Sequence, residues 1–139
     1  MNAIQLHYEV DGTDFTRAGE ASAAVKKALR QLGVRPDIIR KVAIALYEGE
    51  INMVIHAEGG YIDVSIDQSS IQMALCDHGK GIENIDLAMK EGYSTAPDEV
   101  RSLGFGAGMG LPNMKKNTDE MHIESTVGVG TNVYMTVYL

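Results

Sequence analysis

The sequence contains little cysteine and little proline. Its single cysteine, Cys76, rules out an intramolecular disulfide and zinc sites with Cys₄ or Cys₂His₂ ligands. Three prolines in 139 residues argue against a proline-rich linker protein. A chain of this length forms one domain whose core removes roughly 68% of the unfolded surface from water, so no disulfide or structural metal is needed. We therefore expect a single domain over residues 1–139 in a reducing cytoplasm.

Long hydrophobic runs and basic runs are also missing. No stretch approaches the ~18–20 apolar residues of a membrane span, and the N-terminus lacks the pattern of a signal peptide. Twelve Lys and Arg residues against nineteen Asp and Glu residues give a formal net charge of −7. No basic run is long enough to follow a phosphate backbone. We expect a cytoplasmic protein that binds neither membranes nor nucleic acid.

Glycine, in contrast, is abundant, and four of the 15 glycines alternate in the segment GFGAGMGL. These are Gly104, Gly106, Gly108 and Gly110, followed by Leu111. Flexible backbone with free N–H groups just before a helix is suited to holding phosphate. Taken alone, the segment is also compatible with a flexible surface loop. It is neither a Walker A motif nor a dinucleotide fingerprint, because no Gly-Lys-Ser/Thr and no βαβ unit accompany it.

Hydrophobic periodicity predicts the secondary structure. Strands are expected at residues 4–10, 61–67, 71–76, 121–125 and 131–139. Helices are expected from just after Asp14 to Leu32, from Pro36 to about Ala57, and over residues 85–91 and 110–117; the polar segment from about 92 to 110 is expected to be a lid. This order lacks the regular alternation of a doubly wound sheet. It predicts an α/β fold, a two-layer sandwich whose mixed, mostly antiparallel sheet carries helices on one face.

Two motifs could carry chemistry. Glu48 and Asn52 lie at positions i and i+4 of the second helix, so they project from one face, where an amide oxygen suits magnesium and a carboxylate suits a hydroxyl nucleophile. A merely polar helix face is the alternative. Glu50 lies about 200° around the helix from each and is expected to be a solvated acid. Asp77 ends a strand and is followed by Gly79 and Gly81, a pattern that can bind an exocyclic amine or form an ordinary turn.

Four motifs follow one another along the chain: Glu48-x-x-x-Asn52 on a helix, Asp77-x-Gly79-x-Gly81 after a strand, Gly106-x-Gly108-x-Gly110-Leu111 before a helix, and Gly128-x-Gly130-Thr131 at the start of the last strand. This ordered set resembles the Bergerat-fold (GHKL) ATP-binding domain, a histidine-kinase-like ATPase fold. Within this family, the chain looks like the bacterial anti-sigma-factor and switch serine kinases, on the segments ALYEGEINMVIHA, CDHGKGI and GFGAGMGLPNMKK. The sequence of the glycine loop and of the GLP that follows is more similar to the switch-kinase branch than to the sigma-binding branch.

The resemblance implies Glu48 as the base toward a serine hydroxyl, Asn52 on Mg²⁺ and Asp77 on adenine N6. It also implies that Gly79 and Gly81 lie against adenine and that the backbone of 106–110 surrounds the phosphates. Thr131 would lie beside Asp77, linked to it through the base or a bound water.

The function implied by this resemblance is that of an ATP-dependent protein-serine kinase that acts as an anti-sigma regulatory factor. Its cofactors would be ATP or ADP with Mg²⁺. Its partners would be a small antagonist protein with an acceptor serine and, as open alternatives, a sigma factor, another regulator or a second copy of the chain. A non-catalytic, nucleotide-gated binding module of the same fold is the alternative. The presence of Glu48 favours the kinase, because a binding-only module has no use for a carboxylate aimed at the γ-phosphate.

Overall fold

The computed structural model describes residues 3–11, 17–56, 59–79, 81–82, 85, 89 and 110–139. Five strands and three helices of at least seven residues occur in this part of the chain. In chain order they are β1 (Ile4–Asp11), α1 (Glu20–Gln31), α2 (Pro36–His56), β2 (Gly59–Ile66), β3 (Ser70–Asp77), α3 (Gly110–Lys116), β4 (Glu120–Thr126) and β5 (Gly130–Tyr138).

The strands form one sheet in the order β1-β2-β3-β5-β4. All four neighbouring pairs in the described sheet are antiparallel, with Val64 opposite Leu6 and Met73, and Met73 in turn opposite Met135. Along β2, Ile62, Val64 and Ile66 are buried. Because side chains alternate across a strand, this pattern places one face of the sheet against a core.

The helices supply the second layer. Val25 and Leu29 of α1 and Val42 and Leu46 of α2 are fully buried and belong to the same hydrophobic cluster as the inner residues of the sheet. Met114 of α3 joins the cluster as well. The predicted two-layer α/β sandwich is therefore confirmed. None of the helices in the described part of the chain is long and apolar enough to cross a membrane.

Helix α1 begins later than the sequence pattern predicts. The pattern placed its start just after Asp14, but the first helical residue is Glu20. Gly19 precedes it with φ 99°, a left-handed conformation that interrupts a right-handed helix and that only glycine adopts readily. At the other end Gly33 has φ 76°, as expected for a glycine that follows the end of a helix.

Some predictions fall outside the described residues. They include most of the helix over 85–91 and the lid over about 92–110, with Gly104, Gly106 and Gly108. Apart from the start of α1, the observed bounds of the described elements differ from the predicted ones by at most two residues. The elements that hold Glu48, Asn52, Asp77, Gly110 and Thr131 are all described.

Candidate functional site

Glu48 and Asn52 of α2 both face helix α3. Asn113 Nδ2 of α3 donates a hydrogen bond to Glu48 Oε1 at 3.4 Å. One turn further along α2, a Cβ atom built on Gly110 would lie 2.8 Å from Asn52 Nδ2 and 3.1 Å from Asn52 Oδ1. Both side chains are partly exposed. The predicted pair therefore lies on one face of α2, next to the first residue of α3, and remains accessible to a ligand.

Gly49 allows α2 to approach both the sheet and α3. A Cβ atom at this position would lie 2.2 Å from Leu75 Cδ2 of β3 and 3.1 Å from Met114 Cε of α3. The first distance is too short for two real carbon atoms and the second is tight, so a larger residue fits only if Leu75 moves. This contact fixes Glu48, the adjacent residue, at the junction of the three elements.

Asp77 ends β3 on the same side of the strand as Leu75. Its Oδ1 atom accepts hydrogen bonds from Gly79 N and Thr131 N, both at 3.0 Å. Its Oδ2 atom accepts none from the residues that the structure describes. Gly130 makes the Thr131 bond feasible, since any Cβ atom there would lie 2.1 Å from Asp77 O. One carboxylate oxygen is thus fixed by the protein and the other is left for a donor.

The Asp77 carboxylate lies near the C-terminal end of α2. Its partner across the sheet is Gly60, and a Cβ atom built on Gly60 would lie 2.9 Å from Met53 Cε. Met53 directly follows Asn52. Met53 thus packs beside the end of β3, so Asp77 lies near the part of α2 that carries Asn52.

Burial raises the pKa of Asp77 above its ordinary value. The two N–H donors of Gly79 and Thr131 oppose this change because they stabilise the ionised form. A half-buried carboxylate of this kind is stabilised when a ligand donor replaces the hydrogen bonds to water that burial removed. The electrostatics of Asp77 therefore fit recognition of an uncharged N–H donor such as an exocyclic amine.

Ser125 of β4 belongs to the site, although the motif analysis did not select it. Its Oγ atom lies 2.8 Å from Thr131 Oγ1 and accepts a hydrogen bond from Ile82 N at 2.7 Å. This links the segment after Asp77 to the last hairpin of the sheet. The strand alternation placed Ser125 on the inner face beside Met121 and Ile123, which was the available signal.

Glu50 corrects a prediction. It is not a solvated acid, since only 3% of its surface is exposed. Its two carboxylate oxygens accept hydrogen bonds from Ala21 N at 3.1 Å and Ser22 N at 3.0 Å, in the first turn of α1. The physical reason is that Gly19 has no side chain to cap α1, so a carboxylate from α2 satisfies these N–H groups instead.

The remaining predicted residues occupy supporting positions. Gly79 follows Asp77 in a tight turn, and a Cβ atom on Gly81 would lie 2.5 Å from Thr126 O, so Gly81 packs against the β4–β5 hairpin. Leu111 packs against the core from the first turn of α3. No cluster of three or more His, Cys, Asp or Glu side chains suited to a metal ion occurs among the described residues.

A family model of the histidine kinase-like ATPase domain matches residues 13–137. The chain belongs to this ATPase family. The match includes the helices α2 and α3 and the strands β3 and β5, which carry the site residues. It confirms the family that the motifs indicated.

Curated relatives agree with this assignment. The chain is 34% identical over 124 residues to an anti-sigma F factor of Caldanaerobacter subterraneus subsp. tengcongensis, covering 86% of this chain and 83% of the relative. It is 31% identical over 126 residues to an anti-sigma F factor of Priestia megaterium, and this match covers 86% of this chain and 82% of the relative. These relatives resemble this ATPase domain over most of their length.

A solved structure shares the fold. It is the crystal structure of the RsbU and RsbW domains of a Mycobacterium tuberculosis protein, with a TM-score of 0.67 and 17% sequence identity. The alignment covers 96% of this chain and 32% of that chain, so this ATPase domain spans about a third of the larger protein. At this identity, the likeness concerns the fold alone.

Proposed function

We propose that the protein is an ATP-binding anti-sigma regulatory factor and switch-type protein-serine kinase, which phosphorylates a small antagonist protein in a partner-switching pathway. The observation that carries the proposal is the placement of Glu48 and Asn52 on one face of α2 beside Gly110, with Asp77 at the other end of the same region. The printed names of the curated relatives support the anti-sigma part and point to a sigma factor as a further partner.

The adenine base is proposed to bind at Asp77. The Oδ2 atom has no partner among the described residues, so it can accept the N6 amino group. Thr131 and Ser125 hold the opposite oxygen and the following segment in place. Adenine has such a donor and guanine has an oxygen at the corresponding position, so this arrangement favours ATP over GTP.

The phosphates are proposed to lie between Asn52 and Gly110. The absence of a side chain at Gly110 lets its backbone come within contact distance of the Asn52 amide. Mg²⁺ is usually held by one or two protein oxygens together with phosphate oxygens, so the Asn52 Oδ1 atom fits as its protein ligand. When bound, Mg²⁺ would neutralise charge on the phosphates. Gly104, Gly106 and Gly108 are proposed to supply further N–H groups to the phosphates.

Glu48 is proposed to be the general base. It is partly exposed, and Asn113 Nδ2 orients one of its oxygens, which leaves the other for a serine hydroxyl. The carboxylate would take the proton as the serine oxygen forms a bond to the γ-phosphorus and the bond to the β-phosphate oxygen breaks. The products are phosphoserine and ADP.

Two variants test the assignment of roles. Glu48→Gln should leave nucleotide affinity within a few-fold of wild type yet lower phosphoryl transfer by ~10²–10⁴, the usual contribution of a general base. Asn52→Ala should weaken Mg²⁺-dependent nucleotide binding and transfer together. The assay uses radiolabelled ATP and an antagonist-type protein from the same genome, with phosphoserine as the product scored. Glu50→Gln serves as the control, because Glu50 is buried against α1.

The same assay separates the kinase from the non-catalytic alternative. A nucleotide-gated binding module would bind the antagonist in the presence of ATP but form no phosphoserine. If the wild-type protein gives this result, the kinase proposal is wrong and the binding-module alternative is correct. Loss of transfer in Glu50→Gln with retention in Glu48→Gln would overturn the assignment of the base.

A further inference from the structure

Among the described strands and helices, the lysine and arginine side chains are confined to the helix layer. None of the five strands contains a lysine or arginine, whereas the three helices together contain seven. The strands instead carry acidic side chains, including Glu9, Asp63 and Glu124. A protein with a formal net charge of −7 therefore presents a cationic helix layer on one side. Charge separation of this kind orients an approaching charged partner.

The outer side of α2 carries a ridge that we call the α2 ridge: Arg40, Lys41, Ile44 and Tyr47. All four residues are exposed, with Ile44 at 36% and Tyr47 at 42%, although both are large apolar side chains. Their spacing of three and four residues places them on one side of the helix. Tyr47 also contacts the Gly19 position at the start of α1, which fixes the ring at the edge of the ridge.

The α2 ridge leads directly to Glu48. Ile44 precedes Glu48 by one helical turn, and Arg40 precedes it by eight residues, about 12 Å along the axis. Exposed apolar surface therefore lies one turn from the proposed base, and the cations of Lys41 and Arg40 lie about two turns from it.

The cations of the α2 ridge have no carboxylate partner among the residues that the structure describes. Among the described residues, the ion pairs of the helix layer join Arg17 to Glu20 and Arg35 to Asp37, both outside the ridge. Arg40 and Lys41 form none with any described side chain. No described carboxylate therefore competes with a partner protein for these two side chains.

We propose that the α2 ridge is the docking surface for the serine-bearing antagonist protein, and that the matching surface of this partner is acidic around an apolar centre. The inference rests on the proposed kinase function. A serine must come within ~3 Å of the Glu48 carboxylate for proton transfer, so its surroundings must contact the residues one to two turns away on α2. Those residues are Ile44, Tyr47, Lys41 and Arg40, which select apolar and acidic groups.

The experiment measures initial rates of phosphoserine formation at saturating Mg-ATP while the concentration of the antagonist-type protein from the same genome is varied. Lys41→Glu should raise the KM for the antagonist roughly tenfold and leave kcat within twofold, because the change affects docking equally before and during the reaction. Ile44→Ser should also raise KM. Lys27→Glu on α1 is the matched control: it changes the net charge by the same amount on an exposed helix position and should leave KM within twofold.

The outcomes distinguish docking from catalysis. If wild type forms phosphoserine but Lys41→Glu and Ile44→Ser keep its KM, the α2 ridge is not the docking surface. An equal rise of KM in Lys27→Glu would also overturn the proposal, since net charge alone would then explain it. If wild type forms no phosphoserine, the kinase proposal fails. Titration calorimetry with the same antagonist then decides: weaker binding by Lys41→Glu upholds the docking surface, and unchanged or absent binding overturns it.

Self-association is the competing use of the same surface. The acidic sheet face of a second copy could also meet these cations. Sedimentation of wild type and Lys41→Glu without antagonist tests this. We expect the same oligomeric state for both, and a wild-type assembly that Lys41→Glu dissociates would assign the α2 ridge to contacts between copies and overturn the proposal.

Discussion

The buried Glu50 carboxylate allows a quantitative prediction about stability. It accepts two hydrogen bonds from N–H groups in the first turn of α1, and only 3% of its surface is exposed. Leaving buried donors without a partner costs about 1–3 kcal/mol each, and the lost side chain adds a cavity. Because the loss of two bonds on one group is not fully additive, we expect Glu50→Ala to lower the free energy of unfolding by about 3–5 kcal/mol.

Glu50→Gln separates charge from shape. The glutamine keeps one acceptor oxygen and the volume of the side chain, so we expect a smaller loss of about 1–2 kcal/mol. The measurement is urea unfolding followed by circular dichroism at pH 7. Glu20→Gln is the matched control, since Glu20 lies in the same first turn but is exposed and pairs with Arg17 at 3.4 Å; its effect should stay below about 0.5 kcal/mol. A Glu50→Ala protein within 0.5 kcal/mol of wild type would refute the capping role.

Two further substitutions test the site without any ligand. Burial raises the pKa of Asp77, so the folded protein binds that proton more tightly than the unfolded chain, and the stability declines as the pH rises through the raised pKa. Asp77→Asn keeps an acceptor oxygen and carries no charge, so it should unfold at a urea midpoint no lower than that of wild type at pH 7. A clearly lower midpoint would contradict this reasoning. Gly49→Ala should lower the free energy of unfolding by about 1–3 kcal/mol, because its Cβ atom would lie 2.2 Å from Leu75 Cδ2. Adding Leu75→Ala should then cost less than Leu75→Ala costs alone, and strict additivity would argue against this contact.

The sequence predicts the architecture well because periodicity reports burial. Alternation in β2 and β3 and the helical spacing of α2 reflect which side chains face the core, and these elements appear within one or two residues of the expected bounds. The i and i+4 spacing also places Glu48 and Asn52 on one face correctly. Short-range geometry of this kind depends only on the helix itself.

The contacts that the sequence analysis missed are long-range. Glu50 caps a helix whose first turn lies 28 and 29 residues earlier in the chain, and Ser125 supports a segment 43 residues away. A signal for Glu50 was present, since its i−4 and i+4 neighbours Leu46 and Val54 are apolar and place it on a buried stripe. The partner of such a carboxylate becomes known only when α1 is packed against α2.

Nucleotide titration tests the central claim, that the region between α2 and the end of β3 binds an adenine nucleotide. Calorimetry of the wild-type protein with ADP and Mg²⁺ should show binding, and Asp77→Asn should bind at least tenfold more weakly, since the amide no longer offers a charged acceptor at Oδ2 to the adenine amino group. Lys27→Glu, on the outer side of α1, should bind as wild type does. The absence of detectable binding of any adenine nucleotide to wild type, or equal affinity in Asp77→Asn, would contradict the account.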